Sequence, residues 1–307
     1  MIIIYRGLIF LVLSYSLPVN AGQIVRILVE DDVKQTISFS RHVNRIVSLS
    51  PHITELLFAA GAGKKIVGVV EHSDFPEEAK QLPIVGSGFS LDLEKIAELK
   101  PELIIAWHSG NPKQQIEKLK SMGFTVFESE PEDIDDITKS IIRFSQLAGT
   151  EVIANQAVKK LHKRYRKLKN DYADRTRVSV FYQIWHDPLM TVGGKHIISY
   201  IIELCAGKNI FEELENPAVK ISMESVIKRD PQVIISSETA SETGFNPLAH
   251  WEKWTELQAV KNKNLFLVPP SILQRHGPRI LDGAESVCTY LDKVRAGRLE
   301  SATTSGE

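Results

Sequence analysis

One 15-residue pattern occurs twice in the chain, 130 positions apart. The segments LDLEKIAELKPELII, beginning at Leu91, and ISMESVIKRDPQVII, beginning at Ile221, align without a gap. Each has Glu at its fourth position, Pro at its eleventh and Ile-Ile at its end. In both, the apolar spacing predicts a helix, the proline ends it and a buried strand follows. Two distant copies of one helix–strand unit predict two similar lobes rather than a solenoid.

Alternating strand and helix patterns flank both copies of the repeat. Apolar runs such as RIVSL, ELIIAW, RVSVFYQI and QVIIS are typical of buried parallel strands, and helical segments ending at Gly or Pro separate them. We therefore predict the α/β fold class, with similar α/β lobes at residues 22–150 and 175–295 and a ligand cleft between them. A chain of 307 residues, 43% hydrophobic and 24% charged, is large enough for each lobe to bury a core of its own.

The longest helical pattern in the chain lies between the two predicted lobes. Apolar residues recur at helical spacing through residues 151–172, no Gly or Pro interrupts them, and the other face is rich in Lys and Arg. Helical residues in that number span about 33 Å, within a connecting segment that we place at 151–174. A rigid helix between lobes restricts hinge closure. We expect the basic face to be solvated, since a formal net charge of −1 gives no indication of a nucleic-acid partner.

The amino terminus has the composition of a secretory signal peptide. One positive charge at Arg6 precedes an apolar run that ends at Leu17, and small residues lead to Ala21. The run is shorter than the ~20 residues that a membrane-spanning helix needs. The alternative is a membrane anchor. We predict cleavage after Ala21, with residues 1–21 as the signal peptide, and hence an exported protein.

The chain has two cysteines, Cys205 and Cys288. An even number of cysteines in an exported chain favours a disulfide over two buried thiols, because the compartment is oxidising. Beyond the second lobe, the small and polar residues at 296–307 predict a disordered tail.

No catalytic signature accompanies this architecture. The patterns G-x-S-x-G, H-E-x-x-H and C-x-x-C are absent from the sequence. An exported, two-lobed α/β chain without such a signature is typical of a binding protein that holds its ligand between the lobes. We therefore predict a protein that is not an enzyme. The alternative from another class is a periplasmic hydrolase with a buried His–Asp pair, for which His72 and Asp74 are the candidates.

Several segments carry a family resemblance through their order and spacing. They are SLSPHITELLFAAGAGKKIVGV, SDFPEEA, LDLEKIAELKPELIIAWHSGN, the long helix and QRHGPRI. From about Arg45 to Val294, the chain resembles the periplasmic binding proteins of cobalamin and iron-chelate ABC importers. Within that family it most resembles the receptors for cobalamin. The resemblance implies a periplasmic monomer that grips its ligand with small domain motion and delivers it to ABC permease subunits, with their ATPase, at the inner membrane.

The repeated glutamates acquire a role from this resemblance. In such receptors, one acidic residue on each lobe docks onto arginines of the two permease subunits, and the matching positions are Glu94 and Glu224. A protein with two similar lobes can present the same charge twice to a twofold-symmetric transporter. Exposed carboxylates steer such docking and set its register. The alternative is that each Glu only stabilises the first turn of its helix through the macrodipole.

The predicted ligand contacts lie in loops at the carboxyl ends of strands, where open α/β sheets bind ligands. These residues are His72, Phe89, Trp107, Trp185, Ser271, Arg275 and His276. Aromatic rings suit a flat macrocycle, and the resemblance implies ligand contacts at the tryptophans and the arginine. The sequence departs from the cobalamin pattern at Gly88, which replaces a receptor Trp beside the predicted Phe contact, and near Ala218, where another receptor Trp is missing.

The identity of the ligand has alternatives. Cobalamin, a cobalt corrinoid, is favoured because the two cysteines match the disulfide positions of its receptors. Haem, a ferric siderophore or another metal chelate of the same family is the alternative, since imidazole is a common metal ligand and the chain has nine histidines. In either case we predict a transported ligand, with no resident cofactor and no metal held by the protein itself.

Overall fold

The computed structural model describes residues 26–238 and 245–304, so the predicted signal peptide lies outside the described residues. The strands are β1 Ile27–Glu30, β2 Thr36–Phe39, β3 Ile46–Ser48, β4 Ile66–Val69, β5 Leu103–Trp107, β6 Val126–Ser129, β7 Val178–Gln183, β8 Trp185–His186, β9 Leu189–Val192, β10 Gly207–Asn209, β11 Ala218–Lys220, β12 Val233–Ser236 and β13 Leu265–Leu267. The helices are α1 Pro51–Ala59, α2 Leu93–Glu98, α3 Lys113–Ser121, α4 Ile134–Ala148, α5 Glu151–Tyr172, α6 Ile197–Leu204, α7 Met223–Arg229, α8 Gln258–Lys261, α9 Pro270–Leu273 and α10 Ile280–Thr304.

Each lobe is built on a four-stranded parallel sheet, and the two sheets have the same strand order. The first sheet runs β4-β3-β5-β6 and the second runs β10-β7-β12-β13. In both, the first strand of the sheet in chain order lies between the second and the third, and the fourth is at the far edge. The α/β fold with two similar lobes is therefore confirmed. The repeated sequence forms the same piece in each lobe, α2–β5 in the first and α7–β12 in the second.

The two copies of the repeat also begin and end their helices alike. Asp92 accepts a hydrogen bond from a backbone N–H at 3.0 Å at the start of α2, and Ser222 accepts one at 3.2 Å at the start of α7. Such caps contribute roughly 1 kcal/mol each. The residues before the two prolines, Lys100 and Asp230, are both left-handed, with φ of 45° and 43°. The chain thus leaves each helix through the same turn and enters the next strand.

One hydrophobic core continues through both lobes. It includes Leu103 and Ile105 of β5 in the first lobe and Val233 and Ile235 of β12 in the second. The alternate residues of those strands, such as Ile104, point into smaller cores that belong to one lobe each. Each sheet therefore packs one face into the shared core and the other into a core of its own, so the lobes are less separate than the sequence suggests.

The connecting helix α5 is part of the shared core. It covers Glu151–Tyr172, as predicted, and buries Ala154, Leu161 and Leu168 at intervals of seven residues. This stripe packs against α4 of the first lobe and against α6 and α10 of the second. The lobes are thus joined by apolar packing along a rigid helix. No helix in the described part of the chain is both long and apolar enough to cross a membrane.

The second lobe is closed by a disulfide and a long helix. Cys205, directly after α6, is bonded to Cys288 in α10, with 4.7 Å between the Cα atoms, which confirms the predicted bridge. The predicted disordered tail is wrong for residues 296–304, because α10 continues to Thr304. A single glycine such as Gly297 costs a helix only about 1 kcal/mol, and no proline follows it. Residues 305–307 lie outside the described range.

Candidate functional site

The carboxyl edges of the two parallel sheets face each other. The segment after α9, which follows β13 of the second lobe, contacts loops that follow β4 and β6 of the first lobe. Arg275 donates to the Asp74 carboxylate at 2.6 Å and to the His72 carbonyl oxygen at 2.9 Å. His276 Nδ1 donates to the Pro131 carbonyl oxygen at 2.8 Å. Because all strands in each sheet are parallel, the other strand ends lie along the same two edges, which define the cleft.

A buried carboxylate joins the lobes beneath these contacts. The Glu55 side chain, on α1, is only 1% exposed, and it accepts hydrogen bonds from two arginines of the second lobe. Arg279 binds both carboxylate oxygens, at 2.6 and 3.0 Å, and Arg275 binds one at 3.2 Å. The Arg279 guanidinium also lies over the Phe75 ring, 4.1 Å from its centroid. We call this set of Glu55, Asp74, Arg275 and Arg279 the arginine clamp.

Electrostatics keep the arginine clamp charged. Burial works against the charge of Arg275, but its hydrogen bonds to Asp74 and Glu55 and the charges of these carboxylates raise its pKa. The hydrogen bond from Arg275 in turn lowers the pKa of Asp74. The hydrolase alternative required a buried pair of His72 and Asp74. Both residues are exposed, and the Asp74 carboxylate is hydrogen-bonded to Arg275. The prediction of a buried His72–Asp74 pair is therefore wrong.

Three histidines and one tryptophan meet beside the arginine clamp. The His52 ring, on α1, lies edge-on to Trp107, with centroids 5.3 Å apart, and 6.3 Å from the ring of His276. His276 in turn lies 5.9 Å from His196, which caps α6 of the second lobe. His52 Nδ1 is bonded to the Ser50 hydroxyl at 2.7 Å, and its Nε2 is buried without a hydrogen-bond partner among the described residues. We call His52, His196 and His276 the histidine cluster.

Burial keeps the histidine cluster neutral. Loss of solvent, together with repulsion from the Arg275 charge and from His276 when it is protonated, lowers the pKa of His52 to about 3. Burial lowers the pKa of His196 to about 4. The pKa of His276 is also lowered by burial, against an opposing hydrogen bond to Pro131. At neutral pH the imidazoles therefore offer lone pairs and N–H groups to this end of the cleft, without charge.

We expect the free energy of unfolding to fall as the pH drops from about 6.5 towards 5. In the unfolded chain a histidine binds a proton below its ordinary pKa of about 6.5, whereas in the folded protein His52 binds one only near pH 3. The unfolded state then holds more protons, so each buried histidine removes up to about 1.4 kcal/mol per pH unit within this window. Above it, this stability is fully present. Urea unfolding at several pH values measures how steeply the free energy of unfolding changes with pH.

The variant His52→Gln is the matched control for this pH dependence. It removes one titrating group from the histidine cluster and leaves His196 and His276 in place. The pH slope between about 6.5 and 5 should then decrease by up to one proton. A slope that is the same in the variant and in the unsubstituted protein would contradict the neutral, buried state of His52.

Trp107 is held rigidly at the end of β5. Its indole Nε1 donates to the Glu130 carboxylate at 3.2 Å, and its backbone N–H donates to the Asn111 side chain at 2.7 Å. Gly110 lies so close to the ring that a Cβ there would come within 1.9 Å of it, so this position requires glycine. A ring fixed in this way loses little conformational freedom when a ligand packs against it.

Another aromatic group lies along the carboxyl edge of the second sheet. Trp185, on β8, is 48% exposed and donates through Nε1 to the Asp187 carbonyl oxygen at 2.9 Å. Its neighbour His186 lies 5.8 Å from it and 4.7 Å from Phe245, measured between ring centroids. The His186 Nδ1 is hydrogen-bonded to the Glu238 carboxylate. Glu238 follows β12, which is paired with β7 in the same sheet.

The predicted ligand contacts all lie near the facing edges, but the structure joins only some of them. Arg275 contacts His72 directly, and His276 is linked to Trp107 through the ring of His52. Phe89 is 88% exposed, in the loop before α2. No described hydrogen bond or ring contact joins Phe89 or Trp185 to the other predicted contacts. Ser271 is half-buried on α9. Ligand binding by these seven residues remains a prediction.

Sequence reasoning did not assign a role to Glu55, His196 or Glu238. The only local signal for Glu55 is an acidic residue within the otherwise apolar PHITELLFA of α1. His196 begins a recognisable helical segment and Glu238 follows a recognisable strand, but neither pattern assigns a role to the polar residue beside it. Their importance comes from partners that are distant in the sequence, which a local pattern does not reveal.

Glu94 and Glu224 occupy the same place in the two lobes. Each is the second residue of its helix and is exposed to solvent. A helix that connects parallel strands begins at the carboxyl edge of the sheet and runs back to the amino edge. The starts of α2 and α7 therefore lie on the side of the cleft, one on each lobe. Docking through these carboxylates remains a prediction.

The geometry has counterparts among known proteins. The vitamin B12-binding protein of Vibrio cholerae is 39% identical over 248 residues, which cover 80% of this chain and 88% of the relative. The protein of the same name from Yersinia pestis is 35% identical over 258 residues, 84% of this chain and 89% of that one.

Comparison with solved structures identifies the same kind of relative. The crystal structure of a periplasmic vitamin B12 binding protein from Vibrio cholerae has a TM-score of 0.75 at 38% identity, covering 82% of this chain and 98% of that one. A periplasmic haem binding protein from the same organism has a TM-score of 0.71 at 24% identity, covering 80% and 98%, and so shares the fold alone. The sequence model of the family described as periplasmic binding protein matches residues 46–272. The chain, with its two facing parallel sheets, belongs to the periplasmic binding protein family.

Proposed function

We propose that this protein captures cobalamin, or a related corrinoid, between its lobes and delivers it to an ABC importer of the inner membrane. The observation that carries the proposal is the 39% identity to a vitamin B12-binding protein across 80% of the chain. The cleft supports it, because aromatic rings, neutral imidazoles and the charged arginine clamp lie along the facing edges. No catalytic step is involved. The proposal includes export to the periplasm, with the signal peptide removed after Ala21.

The cleft residues suit the chemistry of a corrinoid. The rings of Trp107, Trp185 and Phe89 offer apolar faces to the flat macrocycle. His72, Ser271, Arg275 and His276 offer hydrogen bonds to its amide and phosphate edges. Because Arg275 already binds Glu55 and Asp74, it would meet the ligand in a fixed orientation. Preorganised groups of this kind lose little entropy on binding.

Titration of the mature protein with cyanocobalamin tests the proposal. We expect saturation at one equivalent with submicromolar affinity, followed by calorimetry and by tryptophan fluorescence. Absence of binding would refute the corrinoid ligand and leave the fold and family unchanged. The histidine-rich cleft would then favour haem or a ferric siderophore. Haem would show a Soret shift that His72→Ala or His276→Ala removes.

We expect Trp107→Ala and Trp185→Ala each to weaken cyanocobalamin binding by about 5- to 30-fold. Loss of one well-packed ring contact costs about 1–2 kcal/mol. Calorimetric titration of each variant measures the change. Trp254→Ala is the matched control, because this partly exposed tryptophan lies between a short 3₁₀ helix at Ala249–Trp251 and α8, away from the carboxyl ends of the strands. An equal loss in all three variants would contradict specific ring contacts in the cleft.

We expect the double substitution Glu94→Ala and Glu224→Ala to reduce cobalamin uptake by about tenfold or more, because charge steering changes association rates by that order. Ligand binding should be unchanged, since both carboxylates are exposed and outside the predicted contacts. Uptake of labelled cobalamin by cells that depend on this protein measures the effect. The control is Glu98→Ala with Glu252→Ala, which removes two other exposed carboxylates. Normal uptake in the Glu94 and Glu224 variant would refute the docking role.

A further inference from the structure

A second histidine–carboxylate pair lies on the cleft edge, outside the predicted contacts. His186 follows β7 and Glu238 follows β12, and these two strands are adjacent and parallel, with Ser236 opposite Gln183 at their ends. Both side chains therefore leave the sheet at its carboxyl edge, the edge from which Arg275 reaches the first lobe. The pair therefore lies on the edge of the second sheet that borders the cleft.

Glu238 is a buried carboxylate with few partners. Its side chain is 6% exposed, and one oxygen is hydrogen-bonded to His186 Nδ1. The other oxygen, Oε2, is buried without a hydrogen-bond partner among the described residues. Its backbone N–H donates to the Ser236 hydroxyl at 3.1 Å, which fixes the turn. Burying a carboxylate costs free energy unless a partner offsets it. Among the described residues, the His186 imidazole is the side chain that offsets the burial of Glu238.

The bond to Glu238 fixes both the tautomer and the orientation of His186. A carboxylate at Nδ1 holds the proton on that nitrogen, which leaves the lone pair on Nε2. The His186 ring contacts the rings of Trp185 and Phe245, at centroid distances of 5.8 and 4.7 Å, and the His186 side chain is 33% exposed. Within residues 26–238 and 245–304, no hydrogen bond engages Nε2. Histidines that bind metals are oriented in this way, and the carboxylate makes the ring a better electron-pair donor.

The first lobe also contains a histidine–carboxylate pair, at different strand positions and with a different environment. His108, after β5, is bonded to Glu128, but Lys120 also binds that carboxylate at 2.6 Å. The lysine charge neutralises Glu128, so less negative charge is left to support the imidazole. The described residues also contain no group of three or more His, Cys, Asp or Glu arranged to hold a free metal ion. A metal bound here must therefore arrive already chelated, with an axial position left for one imidazole.

We propose that His186, held by Glu238, is an axial ligand to the cobalt of a corrinoid whose upper position carries exchangeable water. This inference rests on the proposed function. In the step, the cobalt–oxygen bond to water breaks, and the Nε2 lone pair forms a cobalt–nitrogen bond. Water leaves as a neutral molecule, the cobalt keeps its oxidation state, and the proton stays on Nδ1 beside Glu238. A corrinoid with a tightly bound cyanide has no such position and binds through the remaining contacts.

The experiment compares two corrinoids and follows their visible absorption. Aquocobalamin added to the protein should show the band shift that accompanies replacement of water by imidazole, and cyanocobalamin should not. His186→Ala should abolish the shift and still bind cyanocobalamin in the calorimeter. Glu238→Gln keeps a hydrogen-bond acceptor for Nδ1 but removes the charge. It should weaken aquocobalamin binding by about 10- to 100-fold, as loss of an outer partner does in other metal sites, with little effect on cyanocobalamin.

His108→Ala is the matched control, because it removes a histidine with a carboxylate partner from the opposite edge. It should retain the full band shift. A shift that persists in His186→Ala, or that is lost in His108→Ala instead, overturns the assignment. Binding of both corrinoids without any shift also overturns it and leaves the proposed function intact. If cyanocobalamin itself does not bind, the proposed function fails and this inference fails with it.

Discussion

The substitution Glu55→Ala should lower the free energy of unfolding by about 3–5 kcal/mol. The carboxylate is 1% exposed and balances Arg275 and Arg279, whose side chains are only 16% and 18% exposed. Removing one partner of a buried ion pair leaves the other charges without compensation, which costs more than the pair itself contributes. Urea unfolding of the mature protein, followed by circular dichroism, measures the loss.

Asp74→Ala is the control for this experiment. Asp74 binds the same arginine, at 2.6 Å, but its side chain is 49% exposed. Water replaces an exposed carboxylate at low cost, so the expected loss is at most about 1 kcal/mol. Equal, small losses in the two variants would show that water reaches Glu55 and that the arginine clamp is not a buried ion pair.

Replacing both Cys205 and Cys288 with Ala should lower the free energy of unfolding by up to about 4–5 kcal/mol. The bridge closes a loop of 83 residues, and in the chain-entropy model a loop of that length restricts the unfolded state by this amount. Both sulfurs are buried between α6 and α10, so alanine leaves only a small cavity. Urea unfolding of the oxidised protein and of the double variant gives the difference.

The reduced protein supplies the control for the disulfide. Addition of a thiol reductant should destabilise the unsubstituted protein to about the level of the double variant and leave the variant unchanged. A difference of less than about 1 kcal/mol between the two oxidised proteins would contradict the expected effect of the loop.

The arginine clamp and the shared core together limit how far the lobes can separate. Opening the cleft would expose Glu55 and its arginines to water, and it would pull Ala154, Leu161 and Leu168 of α5 out of the shared core. We therefore expect ligand capture with small lobe movements. The interactions that link the lobes also position His276, which is bonded across the cleft to the Pro131 carbonyl oxygen.

Much of the fold is predictable from the sequence because local patterns of residues determine its helices and strands. The repeat at Leu91 and Ile221 predicts the same helix–strand piece in each lobe, and the connecting helix is predicted over its full length. Caps, prolines and apolar periodicity act over a few residues, so they are readable without the rest of the chain. The end of α10 is the exception, since Gly297 alone does not stop a helix that is already anchored by packing.

The sequence by itself thus determined two α/β lobes with one topology, the rigid helix between them and the strand ends at which a ligand would bind. Only the tertiary structure decided which polar groups meet there. Glu55 and Arg275 are 220 residues apart, and His186 and Glu238 are 52 residues apart. Glu55 and Arg275 meet because the carboxyl edges of the two sheets lie face to face, and His186 and Glu238 meet because β7 and β12 are neighbours within one sheet. A local sequence pattern records the periodicity of each element, but it does not record which distant charge will lie opposite it.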